Sequence, residues 1–183
     1  MNRVVKNAVF GVGSVLLAST TAFGQLGGSA TVTPTAGPGA GVWTYAVAVN
    51  NTGTTPIGTL WFAWIPGQNY LFSTPTSISS PAGWTASTVG SGSNVSVRWT
   101  ASNTTTDINA GNSLGGFSFV STMSPAQMAG NSPNFNVPVT TSFFYSGAAF
   151  SDAGFRFVAT VVPSPSAAVV GLFGLAGVAR RRR

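Results

Sequence analysis

Between Val42 and Asn50 the chain alternates strictly, with Trp43, Tyr45, Val47 and Val49 on one side and Thr44, Ala46 and Ala48 on the other. A period of two puts one face of a strand in a core and the other in water. The turn Asn50-Asn51-Thr52-Gly53 follows, rich in residues that tolerate positive φ. The same grammar recurs along the chain. It predicts strands at Gly58–Ile65, Tyr70–Phe72, Trp84–Val89, Asn94–Thr100, Leu114–Thr122, Asn136–Thr141, Ser142–Ser146 and Gly154–Val162. In these, Val95, Val97 and Trp99 share a face, as do Phe117 and Phe119, and as do Phe155, Phe157, Ala159 and Val161. Only Ser124–Ala129 has the makings of a helical turn. The prediction is an all-β chain forming a single antiparallel β-sandwich, Ig-like or jelly-roll-like, over residues 25–161.

The two ends break this grammar. Arg3 and Lys6 precede a charge-free run from Ala8 to Ala18, and Ala22-Phe23-Gly24 places small residues at −3 and −1 before Gln25. That is the form of a secretory signal peptide over residues 1–24, read by signal peptidase and the secretion machinery. The run is too short for a permanent N-terminal anchor. At the other end, residues 162–183 begin with Val162-Pro163-Ser164-Pro165, continue with the charge-free run Ala167–Ala179, and close on Arg180, Arg181, Arg182 and Arg183. The prolines end the preceding strand and leave an extended, accessible segment. As a helix the apolar run is about 20 Å long, short against a hydrocarbon core of about 30 Å. The arginines hold its end on the cytoplasmic side. The alternative is a plain C-terminal membrane anchor.

These residues carry a resemblance. The tail resembles a PEP-CTERM sorting signal, with Ser164 where the commonest Val-Pro-Glu-Pro form has glutamate. The resemblance implies an exosortase as processing partner, transient attachment to the membrane through a transmembrane-like C-terminal helix, and delivery to the cell surface or beyond. The order of the middle is similar, as a general pattern, to Ig-like sandwich ectodomains that precede such tails: an aromatic strand, an Asn-Thr-Gly turn, Pro81-Ala82-Gly83-Trp84, then a Gly-rich lead into Phe117-Ser118-Phe119. That likeness implies a fold and no activity.

Charge is then read differently. The chain carries +6, but six of its eight cations lie in the two terminal segments. Between them stand Arg98 and Arg156 against Asp107 and Asp152, a net of zero. Such a domain cannot neutralise a run of phosphates, which excludes nucleic acid as a partner. The chain has no histidine, no cysteine and no glutamate. Ser-His-Asp and Cys-His relays are excluded, as are the usual zinc and copper sites. Asp107 and Asp152 read as turn residues bonding their own backbone. No cofactor and no catalytic residue is expected.

The aromatic residues are what remains for binding. Trp61 and Trp64 should fall on opposite faces of one strand, one packing inward and the other facing solvent, with Tyr70 close behind. Together they are the candidate platform for stacking sugar rings; filling the core of a cysteine-free domain is the competing role. Arg98 should point away from the valine face of its strand. Asn50-Asn51-Thr52, Asn94-Val95-Ser96 and Asn103-Thr104-Thr105 match the N-glycosylation pattern, as an Asn/Thr-rich composition does by chance. The expected function is an exported, exosortase-processed structural or adhesion protein of the surface or extracellular matrix, without enzymatic activity. The alternative is a surface carbohydrate-binding module for extracellular polysaccharide.

Overall fold

A computed structural model describes residues 24–148 and 150–163. The elements run β1 (Gly28–Ala36), β2 (Trp43–Asn51), β3 (Thr59–Phe62), β4 (Trp64–Ile65), β5 (Gln68–Asn69), β6 (Ser77–Ser79), β7 (Trp84–Ser91), β8 (Asn94–Ala101), β9 (Ser113–Ser121), α1 (Pro125–Ala129), β10 (Thr141–Tyr145), β11 (Phe155–Val158) and β12 (Thr160–Val161). Two five-stranded sheets form, ordered β12-β1-β2-β9-β6 and β11-β10-β3-β8-β7, with β4-β5 as a separate small hairpin. They pack face to face as a β-sandwich.

The alternation explains the packing. Tyr45, Val47 and Val49 of β2 and Phe117 and Phe119 of β9 line the inner face of the first sheet. Leu60 and Phe62 of β3, Val95, Val97 and Trp99 of β8 and Phe144 of β10 line that of the second. Rings meet across the gap: Phe62 lies 5.3 Å from Phe119, Trp99 5.6 Å from Phe117, and Trp84 5.0 Å from Phe117 edge-on. Edge-on and offset contacts are the favourable ones for ring quadrupoles. The buried Tyr45 hydroxyl is used too, donating to the Met123 carbonyl. Asn51 is fully buried at the end of β2, where its amide donates to the carbonyls of Thr55 (2.9 Å) and Ile108 (2.7 Å) and its oxygen accepts from the Gly53 N–H (2.9 Å).

Several expectations change in detail. The strand expected over Gly58–Ile65 is broken at Ala63, whose φ of 56° interrupts the pleat between β3 and β4. β1 was not expected, since Pro34 and the glycines before it hide the pattern; its pairing with β2 nonetheless runs unbroken from Gly28↔Asn51 to Ala36↔Trp43. β12 runs parallel to β1, the one parallel pair among the described strands. The stretch Asn136–Thr140 is not a strand but a set of turns with one bridge, Asn131↔Pro138. The expected turn at Ser124–Ala129 is α1, closed at its start by a capping box between Ser124 and Gln127. The signal and tail helices expected at the two ends lie outside the described residues. Among the described residues no helix is long and apolar enough to cross a membrane.

Candidate functional site

The aromatic residues outside the core gather on the outer face of the second sheet. Trp61 and Trp64 stack there at 4.2 Å and 25°, rather than lying on opposite faces as a straight strand would place them. The left-handed turn of the backbone at Ala63 is the cause, because it returns Trp64 to the side from which Trp61 projects. The kink is held from both sides: the Ala63 N–H donates to the Ser142 hydroxyl (3.2 Å), and its carbonyl accepts from the Tyr70 N–H (2.8 Å). Phe143 and Tyr145 of β10 complete the cluster, with Phe143 edge-on to Trp64 at 5.8 Å.

Phe150 caps this cluster from the 146–154 loop, 5.6 Å from Trp64, 5.8 Å from Tyr145 and 6.3 Å from Trp61. It is 64% exposed and adopts φ 67°, a left-handed conformation for a bulky residue. Arg98 of β8 points outward as expected, its guanidinium 5.3 Å from the Trp61 ring centre. That distance is within cation–π range. Trp61 and Trp64 are each only 4% exposed, and the Trp61 Nε1 is buried without a hydrogen-bond partner. Tyr70 belongs elsewhere: it is fully buried in the core, edge-on to Phe135 at 5.4 Å, with its hydroxyl donating to Gln68 Oε1 at 2.8 Å. The fold thus brings Trp61 and Trp64 together, separates Tyr70 from them, and leaves Phe150 as the accessible ring. The sequence carries no signal for Phe150 as a site residue, since it lies in a turn outside any alternating stretch.

The two carboxylates come to one end of the sandwich, on either side of the Gly58–Ser146 approach. Asp152 binds the Ser146 N–H (2.8 Å) and hydroxyl with one oxygen and the Gly154 N–H (2.6 Å) with the other. Partial burial works against its charge, but these hydrogen bonds, with one from the Ser151 hydroxyl, outweigh it and hold the carboxyl below the ordinary aspartate range. Asp107 sits beside Gly58 with less help, and desolvation pushes its carboxyl up. Desolvation, with the Asp152 charge added, also pushes up the Tyr145 hydroxyl. A shallow cleft of about 390 Å³ at this end is lined by Gly24, Gln25, Leu26, Thr55, Ser146 and Asp152 among others. Among the described residues no group of three or more metal-ligating side chains occurs.

Of the processing residues, Gly24 and Gln25 are exposed, and the Gln25 N–H donates to the Thr54 hydroxyl at 2.9 Å. Val162 donates its N–H to the Val32 carbonyl (2.9 Å), and Pro163 is exposed. Ala22, Ser164, Pro165 and Arg180–Arg183 lie outside the described residues.

No protein-family model and no curated protein matches the chain. Among solved structures, a CBM3 chain of Hungateiclostridium clariflavum is similar with a TM-score of 0.44 and 10% identity, over 74% of this chain and 99% of that one. An inactive mutant of a GH20 exo-β-N-acetylglucosaminidase from Vibrio harveyi is similar with a TM-score of 0.42 and 10% identity, over 75% of this chain and 18% of that one. Likeness at this level assigns neither a ligand nor a reaction to this chain.

Proposed function

We propose that the chain is an exported structural or adhesive component of the cell surface or extracellular matrix, without enzymatic activity. A signal peptidase releases it before Gln25, and an exosortase acts on the PEP-CTERM-like tail after holding it briefly at the membrane. The observation that carries this reading is the placement of Val162 and Pro163, the first two residues of the motif. The Val162 N–H donates to the Val32 carbonyl at the margin of the first sheet, and Pro163 is exposed. The first two residues of the proposed sorting motif thus lie at a sheet margin and at the surface, and Pro163 has no N–H with which to extend the sheet. The domain's neutral surface of hydroxyl and amide groups suits a matrix protein. A chain without histidine, cysteine or glutamate offers few groups for catalysis.

The test is intact mass and fractionation of the protein from its native cell, with and without exosortase. The expected product starts near Gln25 and ends near Pro163–Pro165, and disappears without exosortase. A product that keeps Arg180–Arg183 and stays in the inner membrane in both strains rejects the sorting reading.

A second reading, binding of extracellular polysaccharide, is favoured by one observation. Phe150 offers an exposed ring beside Arg98 and the Trp61–Trp64 pair, on a neutral surface. Stacking on such a ring suits the apolar face of a sugar. Glycan arrays and pull-downs on insoluble polysaccharides, run with the natural protein and Phe150→Ala, decide it. Binding that is lost in the variant supports the reading; no binding, or equal binding, rejects it.

A further inference from the structure

A β-sandwich has four sheet edges, and each exposes unpaired backbone groups that invite another strand. Three edges of this fold are blunted. β12 is two residues long and runs into Pro163, while the uncovered part of β1 beside it contains Pro34, which has no N–H to offer. β6 is three residues long and lies between Pro75 and Pro81. β11 is four residues long and carries Arg156. The fourth edge, β7, has none of these guards. It is eight residues of Trp-Thr-Ala-Ser-Thr-Val-Gly-Ser, with no charge and no proline. Its register with β8 continues without a shift from Trp84↔Ala101 to Ser91↔Asn94. Among the described residues, every strand pairing and hydrogen bond of Thr85–Val89 comes from the β8 side.

We propose that β7 is a self-association edge, at which two copies of this chain pair antiparallel about a twofold axis through Ser87. The partner is a second copy for two reasons. An antiparallel strand pair about a twofold is self-complementary, so one edge serves both subunits. A strand without charge also meets its own copy with no like charges opposed across the new ladder. The result is a ten-stranded sheet running through both sandwiches. Thr85 and Thr88 are exposed on its two faces, and Ser87 and Val89 are half-buried. The interface is built from β7 alone. It stands whether or not the tail is processed.

The chain has no cysteine, so a single introduced thiol reports its own position. The experiment uses the full-length protein, with sedimentation equilibrium on the natural chain and on the double variant Thr85→Lys/Thr88→Lys. Disulfide formation by Ser87→Cys is followed in parallel and compared with Thr31→Cys on the far sheet. A natural chain approaching twice the monomer mass, a monomeric lysine variant with the same urea midpoint, and fast cross-linking only for Ser87→Cys bear the proposal out. If the lysine variant fails to fold, the cross-linking comparison alone decides, since Ser87→Cys adds no charge. The proposal is overturned by a natural chain that stays monomeric at its solubility limit. Association unchanged by a folded lysine variant, or equal cross-linking at the two thiol positions, overturns it as well.

Discussion

Trp61 and Trp64 lie face to face at 4.2 Å because Ala63 between them is left-handed, with φ 56°. Ala63 is fully buried, and an L-residue in this conformation is strained by about 1 kcal/mol or more. Ala63→Gly relieves that strain but loses a buried methyl and gains unfolded-chain entropy, so its urea midpoint should shift little. Ala63→Val adds a β-branch at positive φ in a closed site and should cost about 2 kcal/mol or more. Tryptophan fluorescence during unfolding reads both, since the stacked pair itself reports the kink.

The indoles separate packing from hydrogen bonding. Trp99 Nε1 donates to the Ser79 carbonyl at 2.9 Å, whereas Trp61 Nε1 is buried with no partner. Replacing Trp99 by Phe strands a carbonyl; the same change at Trp61 removes an unsatisfied donor. Trp99→Phe should therefore cost more than Trp61→Phe, by about 1–2 kcal/mol in chemical denaturation. Equal losses would mean that the Trp61 nitrogen is satisfied in solution.

Asn51 is a single residue tying three chain segments. Its side chain satisfies the carbonyls of Thr55 and Ile108 and the N–H of Gly53. Asn51→Ala leaves those groups short of partners in a buried place and should cost about 3 kcal/mol. Asn51→Asp should be worse, because a carboxylate would face two carbonyl oxygens. Thermal unfolding of both variants checks the order.

What could be read from the residues follows from where alternation survives. β2 as far as Val49 and β8 as far as Trp99 alternate larger apolar residues with small or polar ones, and β9 does so over Phe117–Phe119, after its register shift against β2. Tyr45, Val47, Val49, Val95, Val97, Trp99, Phe117 and Phe119 are inward as the pattern has them. β1 and β6 escaped notice because Pro34, Pro75 and Pro81 interrupt or flank them, although the backbone tolerates proline at edges. The outer aromatic cluster was half legible. The residue types were visible at Trp61 and Trp64, but their shared face depends on one positive φ at an alanine, for which the sequence carries no signal. Tyr70 lies close to both in sequence, but its hydrogen-bonded place in the core depends on the turn at Pro66-Gly67, where Gly67 takes φ 84°.

The two aspartates should pull the acid limb of the stability curve in opposite directions. Asp152 lies below the ordinary value of 3.8, so its stabilisation is complete above that value and is lost as pH falls through its lowered folded pKa. Asp107 is raised above 3.8, so its ionisation penalises the folded state near neutrality. As pH falls through its raised folded pKa, the folded state takes up that proton first and stability rises until the ordinary value is reached. Asp152→Asn should thus be less stable than the natural chain at neutral pH and should lose less on going to about pH 2. Asp107→Asn should remove the earlier gain and leave the low-pH loss intact. Urea midpoints across that range separate the two, and parallel curves for Asp152→Asn and the natural chain would show that the bonds from Ser146 and Gly154 do not favour the ionised carboxylate.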